Sequence, residues 1–159
     1  KGIAPGIKRG FSAMHWNSIP QGVWKSERER AHEFERDVAF SACGSDIDAE
    51  VLKLASDNAA KAGIGECIHT AQADIRSFKP NGESGTVLCN PPYGERLLNV
   101  KAAEELYRVM GKVFVPKSGW SYAIISPHEQ FEELFGRPAD KRRKLYNGML
   151  KCQLYMYYK

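Results

Sequence analysis

The stretch Thr86–Gly94 constrains the fold of this chain more than any other, because an apolar run of strand type ends there in a stiff turn. Two consecutive prolines, Pro91 and Pro92, follow Asn90. Proline fixes φ and carries no N–H, so neither residue can continue the hydrogen-bond ladder of a sheet. The residue before a proline is also restricted, which holds the Asn90 amide and the Pro91 carbonyl in one geometry. The sequence therefore predicts a strand that leads directly into a binding site.

The turn carries the groups that bind a flat heterocycle with an exocyclic amino group. The side-chain oxygen of Asn90 and the carbonyl oxygen of Pro91 can accept hydrogen bonds from that amino group. The ring of Tyr93 can stack on the heterocycle. The alternative explanation is a Pro-Pro turn that only ends the strand and binds no ligand.

The length of 159 residues predicts a single domain, which would bury roughly two-thirds of its unfolded surface and need no disulfides. The four cysteines, Cys43, Cys67, Cys89 and Cys152, form no CxxC pair, and Cys43 and Cys89 lie in strand-like apolar runs. This pattern favours buried, reduced thiols in a cytosolic protein over a disulfide framework. The four histidines are equally dispersed, so the sequence predicts no metal site.

Charge and hydropathy indicate a cytoplasmic protein without membrane contact. No apolar run reaches the length of a membrane span, and the N-terminus lacks the apolar core of a signal peptide. The net charge of +4 suits a nucleic-acid partner but does not specify one. Lys141, Arg142, Arg143 and Lys144 form a basic cluster near the C-terminus, for which we weigh phosphate contacts against a solvated surface run.

Apolar periodicity predicts an α/β fold whose sheet is mostly parallel and ends in an antiparallel hairpin. The hairpin signal is Asn147-Gly148 between two strand-like runs. The predicted strands before it are Val38–Cys43, Cys67–Ala73, Thr86–Cys89 and Trp120–Ser126. The predicted helices are Gln21–Arg36, Ala49–Ala62 with Asp48 as N-cap and Gly63 after its end, a helix from Ala103 to Phe114, and Glu129–Phe135.

Three successive predicted strands end in polar residues, namely Asp46, Asp74 and Asn90. In parallel α/β sheets ligands bind outside the carboxyl ends of the strands, so we expect these side chains to converge on one crevice. A capping role beside Asp48 is the alternative for Asp46. A simple strand-ending role is the alternative for Asp74.

The turn Asn90-Pro91-Pro92-Tyr93 resembles motif IV of the S-adenosyl-L-methionine-dependent amino-methyltransferases, which methylate the exocyclic nitrogen of adenine or guanine. The resemblance implies that Asn90, Pro91, Pro92 and Tyr93 form the catalytic group, and it carries Asn90 over to the cofactor site as well.

Two further stretches resemble motifs of the class I methyltransferases. Gly44–Asp46 resembles motif II, which implies that Asp46 binds the ribose hydroxyls of the methyl donor. Ala73–Ile75 resembles motif III, which implies that Asp74 accepts a hydrogen bond from the donor's adenine.

Taken in order, the motifs make the chain similar to the ribosomal RNA guanine-N2 methyltransferases of the large subunit, often labelled N6-adenine-specific DNA methylases. The resemblance covers essentially the whole chain. It implies a Rossmann-like class I methyltransferase sheet and RNA contacts by Lys141–Lys144. It also implies that the partner is ribosomal RNA and that the protein acts in ribosomal RNA processing. The stretches that carry it are Ile3–Gly6, Arg9–Phe11, Gly44–Asp48, Asn90–Leu97 and Lys141–Gly148.

In that family a glycine-rich turn, motif I, and a THUMP-type RNA-binding module come before the counterpart of Ile3–Gly6. We therefore expect residues 1–159 to be one partial methyltransferase domain that begins after motif I and lacks the first strand. The strands that end at Asp46 and Asn90 would then pair directly, or a second copy would fill the gap in a dimer. An adenine-N6 DNA methyltransferase and a non-catalytic RNA-binding or scaffold fragment are the alternative functions.

Overall fold

The structure is a computed structural model that describes residues 1–94 and 99–158. The chain divides into two compact units, Lys1–Gln72 and Ala73–Lys159, so the single domain expected from length stays a prediction. In the described ranges, no helix is long and apolar enough to cross a membrane. The helices are α1 (Gln21–Glu33), α2 (Ala49–Lys61), α3 (Val100–Val113) and α4 (Phe131–Phe135). The strands are β1 (Ala42–Asp46), β2 (Ile68–Gln72), β3 (Gly85–Cys89), β4 (Trp120–Ser126), β5 (Lys141–Asn147) and β6 (Leu150–Tyr157).

The first unit holds α1, α2 and a parallel pair of strands. Strand β1 pairs with β2 so that Asp46 lies opposite Gln72. Helix α2 starts at Asp48, whose Oδ1 accepts hydrogen bonds from the N–H groups of Glu50 at 2.8 Å and Val51 at 3.4 Å. The helix is followed by Gly63 at φ +77°, a conformation that glycine adopts without strain. The predicted N-cap and the predicted glycine after the helix are confirmed, and the helix ends at Lys61, one residue before the predicted Ala62.

Strand β1 corrects two predictions for the first unit. The strand was expected at Val38–Cys43 but lies at Ala42–Asp46, because pairing with β2 draws Gly44-Ser45-Asp46 into the ladder. Cys43 is exposed and not the buried thiol that its apolar neighbours predicted. In this unit the sheet has two strands and packs against α2, so most of β1 stays accessible.

The second unit is a four-stranded mixed sheet of order β3-β4-β6-β5. Strands β3 and β4 are parallel and connected through α3, while β6 runs antiparallel to both β4 and β5. The predicted α/β fold with a closing antiparallel hairpin is thus confirmed. Direct pairing of the strands that end at Asp46 and Asn90 is not observed, since the described strands form two separate sheets.

Aromatic side chains build the core on one face of the second sheet. Helix α3 contributes a stripe at helical spacing that includes Tyr107 and Met110. On β6, Tyr155 and Tyr157 are buried on this face, and they stack on Phe131 and Phe135 of α4 with ring centroids 4.4 and 4.7 Å apart. These buried side chains pack α3 and α4 against β4 and β6.

The hairpin between β5 and β6 is confirmed, but its loop is shifted by one residue. Asn147 pairs with Leu150, so the two loop residues are Gly148 and Met149. Gly148 has φ +61°, as expected for the first central residue of a type II′ turn. Asn147 therefore belongs to the strand.

Candidate functional site

The turn that follows β3 lies at the carboxyl end of the parallel pair β3–β4. The last pair of residues in that ladder is Cys89 and Ile124. Directly after it, Asn90 is exposed, Pro91 is buried, and Pro92 and Tyr93 are partly buried. The backbone thus anchors the turn in the sheet while the Asn90 amide faces solvent, where a ligand can reach it.

The hydroxyl of Tyr93 donates a hydrogen bond to Oδ1 of Asn90. Burial raises the pKa of Tyr93, an effect that the nearby Asn147 amide partly offsets and the nearby Cys152 reinforces. The hydroxyl therefore remains a protonated donor at neutral pH. A carbonyl oxygen has two lone pairs, so one acceptor direction of Asn90 is occupied by Tyr93 in this state.

The carbonyl of Pro92 accepts a hydrogen bond from a buried tyrosine. Tyr107 of α3 donates its hydroxyl hydrogen to the Pro92 oxygen at 3.1 Å. Ser126, the last residue of β4, donates to the Tyr107 hydroxyl at 3.4 Å and accepts from the N–H of His128 at 3.1 Å. Tyr107 and Ser126 are fully buried. Three hydrogen bonds thus connect the end of β4 to the turn after β3.

Neither Tyr107 nor Ser126 is among the residues predicted for the site. Apolar periodicity places Tyr107 on the core-facing side of the predicted helix and says nothing of its hydroxyl. Ser126 carried a usable signal, because it is a fourth polar residue at the carboxyl end of a strand, after Asp46, Asp74 and Asn90.

Gly94 ends the turn where the chain approaches the start of α3. Its φ is +90°, and a Cβ at this position would lie 2.8 Å from the Cα of Val100. Asn99 caps the helix, since its Oδ1 accepts from the N–H of Ala102 at 2.9 Å. The motif residues Glu95, Arg96 and Leu97 lie outside the described residues.

Asp74 is placed in the second unit, and its carboxylate is bound by Arg76. Oδ1 accepts from the Arg76 backbone N–H at 2.7 Å, and Oδ2 accepts from Nη1 of the same residue at 2.8 Å. These bonds, the backbone one first, lower the pKa of Asp74. Asp74 thus caps the short helical turn Ile75–Ser77, two residues after the end of β2. Its cofactor role stays a prediction.

Asp46 is the last residue of β1, in the first unit, and is partly buried. Its Oδ1 accepts from the N–H of Asp48 at 2.9 Å, so it supports the residue that caps α2. Its role toward a methyl donor, and its convergence with Asn90, stay predictions.

The basic cluster on β5 is divided between the two faces of an edge strand, because side chains alternate along a strand. Arg142 forms an ion pair with Glu132 of α4 at 3.3 Å. Lys144 lies over the Tyr146 ring, 5.3 Å from its centroid. Lys141 and Arg143 project from the opposite face and pair in register with Met156 and Leu154 of β6. All four basic side chains are exposed, but they do not form one continuous patch.

Residues 2–156 match the family described as UPF0020, RMKL-like, methyltransferase domain. The chain belongs to this RMKL-like methyltransferase family. Membership confirms the resemblance that the turn after β3 and the other motifs suggested, and it agrees with the α/β sheet described above.

Three known proteins show clear similarity to this chain. The "Putative RNA methyltransferase YpsC" of Bacillus subtilis (strain 168) is 40% identical over 157 residues, which cover 98% of this chain and 41% of that protein. The "Ribosomal RNA large subunit methyltransferase K/L" of Legionella pneumophila (strain Lens) is 34% identical over 155 residues, 96% of this chain and 22% of that protein.

The third is the crystal structure of SMU.472 in complex with SAH, which superposes with a TM-score of 0.87 and 39% identity over 99% of this chain and 42% of that one. This chain therefore spans less than half the length of each of the three proteins.

Proposed function

We propose that this member of the RMKL-like family transfers a methyl group from S-adenosyl-L-methionine to the exocyclic amino group of a nucleobase in RNA. The observation that carries the proposal is the turn after β3, in which the exposed Asn90 amide lies beside Tyr93 and accepts its hydrogen bond. The Pro91 carbonyl is the second acceptor that the proposal assigns to the turn. Family membership supports methyl transfer, and the relatives that are named for RNA support the substrate class.

The proposed target within RNA is guanine N2 of ribosomal RNA. The stretch Gly94–Leu97 resembles the extension of motif IV in the guanine enzymes of the large ribosomal subunit. A relative named for that RNA supports the same choice. Lys141, Arg143 and Lys144 are exposed cations that could bind phosphates.

The carboxylates at the strand ends fit the proposed methyl donor. When bound, S-adenosyl-L-methionine supplies a methyl group carried on a positively charged sulfur. A carboxylate has about four lone-pair sites, so Asp74 can accept from an adenine amino group while Arg76 still binds it. Oδ1 of Asp46 is used by the Asp48 N–H, and its remaining lone pairs suit ribose hydroxyls. The SAH in the SMU.472 structure supports this class of ligand.

In the proposed mechanism the protein mainly positions the acceptor nitrogen. Tyr93 stacks on a base that has been flipped out of the RNA. The Asn90 side-chain oxygen and the Pro91 carbonyl accept hydrogen bonds from the two N–H groups of the base's amino group. These two bonds aim the nitrogen lone pair at the methyl carbon. Attack on a sulfonium methyl requires alignment above all, so the site needs no strong general base. The N–C bond would form as the methyl–sulfur bond breaks with its electron pair left on sulfur, and the amino proton would then leave to solvent.

The test is methyl transfer by the intact protein to unmodified ribosomal RNA and to duplex DNA, with the product identified by nucleoside mass spectrometry. We expect N2-methylguanosine in the RNA. In the matched variants, Asn90→Ala should lower turnover about a hundredfold or more with normal donor binding. Asp46→Ala and Asp74→Ala should weaken donor binding alone. N6-methyladenine in DNA would favour the DNA enzyme, and absence of both donor binding and transfer would favour a scaffold.

A further inference from the structure

We infer that Tyr107 is a positioning residue, which sets the angle between the Tyr93 ring and the Asn90 amide through its hydrogen bond to the Pro92 carbonyl. The inference rests on the proposed function of the turn after β3. Tyr107 lies on α3, fifteen positions beyond Pro92, and its hydroxyl reaches the turn from inside the core.

The hydroxyl of Tyr107 is not explained by core packing. The side chain is fully buried, and its ring has edge contacts with Phe131 and His128, with centroids 5.1 and 5.8 Å away. A phenylalanine would fill that space equally well. Burying a hydroxyl is unfavourable unless it finds a partner, so the partner, the Pro92 carbonyl, accounts for the tyrosine.

The direction of the hydrogen bonds is fixed along the whole connection. The His128 N–H can only donate and the Pro92 carbonyl can only accept. Ser126 must therefore accept from His128 and donate to Tyr107, which in turn donates to Pro92. Burial also raises the pKa of Tyr107, which keeps its proton in place for this bond. The backbone at the end of β4 thus orients a hydroxyl that points at the turn.

The bond restrains the one backbone angle that the prolines leave free. The rings of Pro91 and Pro92 fix φ of both residues, and the second proline restricts ψ of the first. Rotation about ψ of Pro92 remains, and it swings Tyr93 relative to Asn90. Since the carbonyl oxygen moves with this angle, a hydrogen bond from Tyr107 to that oxygen holds Tyr93 in place.

Tyr122 offers a matched control in the same core. It is also fully buried, and its hydroxyl donates to a backbone carbonyl, that of Val115, at 2.7 Å. Tyr122→Phe and Tyr107→Phe therefore remove the same chemical group and the same kind of bond to a backbone carbonyl. Tyr107→Phe also removes the acceptor of the Ser126 hydroxyl, a contact that Ser126→Ala tests separately. Val115, unlike Pro92, lies outside the turn after β3.

The experiment compares the intact wild-type protein with Tyr107→Phe, Ser126→Ala and Tyr122→Phe. The measurements are thermal unfolding, donor binding, kcat and KM for RNA, and hydrogen–deuterium exchange of the turn peptide. We expect both phenylalanine variants to fold with a similar, small loss of Tm and to bind the donor normally. Tyr107→Phe should lower kcat about tenfold or more, with faster exchange in the turn, and Ser126→Ala should show a smaller effect of the same kind. Tyr122→Phe should stay within about twofold of wild type in kcat, since it leaves the turn untouched.

Equal kcat and equal exchange in the two phenylalanine variants would overturn the inference, because the hydroxyl would then serve stability alone. Failure of the proposed function looks different, since the wild-type protein itself would transfer no methyl group. In that case the exchange of the turn peptide still decides whether Tyr107 holds the turn.

Discussion

Replacing Tyr93 by phenylalanine and by alanine separates the two roles that its side chain could have. The ring is proposed to stack on the base, whereas the hydroxyl donates to Oδ1 of Asn90. Phenylalanine removes the hydroxyl and keeps the ring. Alanine removes both, so the difference between the two variants isolates stacking.

The expected magnitudes follow from the surroundings of each group. Stacking of a base on an aromatic side chain contributes about 1–3 kcal/mol, so Tyr93→Ala should weaken base capture by roughly 5- to 150-fold. The hydroxyl bond should matter much less, because Asn90 is exposed and water can replace the donor. At the lower end for a neutral bond, ~0.5 kcal/mol, Tyr93→Phe should change the affinity by only about twofold.

The assay is steady-state methyl transfer to RNA by the intact protein, with donor binding as the control for folding. Wild type and Tyr93→Phe should have parallel pH–rate profiles between about pH 6 and 9, since the raised pKa of Tyr93 keeps the hydroxyl neutral throughout that range. If Tyr93→Phe loses as much activity as Tyr93→Ala, the hydroxyl takes part in the reaction and the stacking argument is refuted.

Three further predictions use other parts of the structure. Gly94→Ala should destabilise the protein by about 1–3 kcal/mol in urea unfolding, because φ is +90° and a Cβ would meet the Val100 backbone; unchanged stability would mean that the turn is placed differently. Burial raises the pKa of Cys89 to about 11, so the contribution of the neutral Cys89 thiol to stability is present below pH 9 and is lost as the pH rises toward 11. Iodoacetamide at pH 8 should therefore label the exposed Cys43 and spare Cys89. Arg143→Gln should weaken RNA binding and reduce the slope of log affinity against log salt concentration by about 0.7–0.9. Arg142→Gln should reduce that slope less, because Glu132 already pairs with Arg142. Identical salt slopes in the wild type and both variants would assign the cluster to solvated surface.

Much of the fold could be predicted from the sequence because its local signals agree with its packing. Strand β4 alternates buried and less buried residues along Trp120–Ser126, and its predicted limits are those observed. Helix α2 carries both its start and stop residues in Asp48 and Gly63. The limits of β1 could not be predicted in this way, because its ladder is set by pairing with β2 and extends through Gly44, which local propensity disfavours in a strand.

Only the exposed half of the candidate site was visible in the sequence. The turn after β3 is a contiguous motif, so its residues can be recognised together. Tyr107 reaches Pro92 across a strand-to-helix connection, and apolar periodicity counts a tyrosine as a core residue without showing where its hydroxyl points. The division of Lys141–Lys144 between two faces, by contrast, follows from the period of a strand and could have been predicted once β5 was assigned.

The contact between Tyr93 and Asn90 bears on how the turn would select its base. In the state described, a hydroxyl donor occupies one of the two acceptor directions of the oxygen that an amino group is proposed to use. A base with an amino group replaces one donor by another, so the exchange is nearly balanced in hydrogen bonds. A base that presents a carbonyl there would place two acceptors against each other and lose the bond from Tyr93 as well. A site that pairs with a donor disfavours a ligand that cannot donate, and the exposure of Asn90 keeps this discrimination modest because water can pair with its oxygen. The turn after β3 thus favours bases that carry an amino group, even though the net affinity that its hydrogen bonds contribute is small.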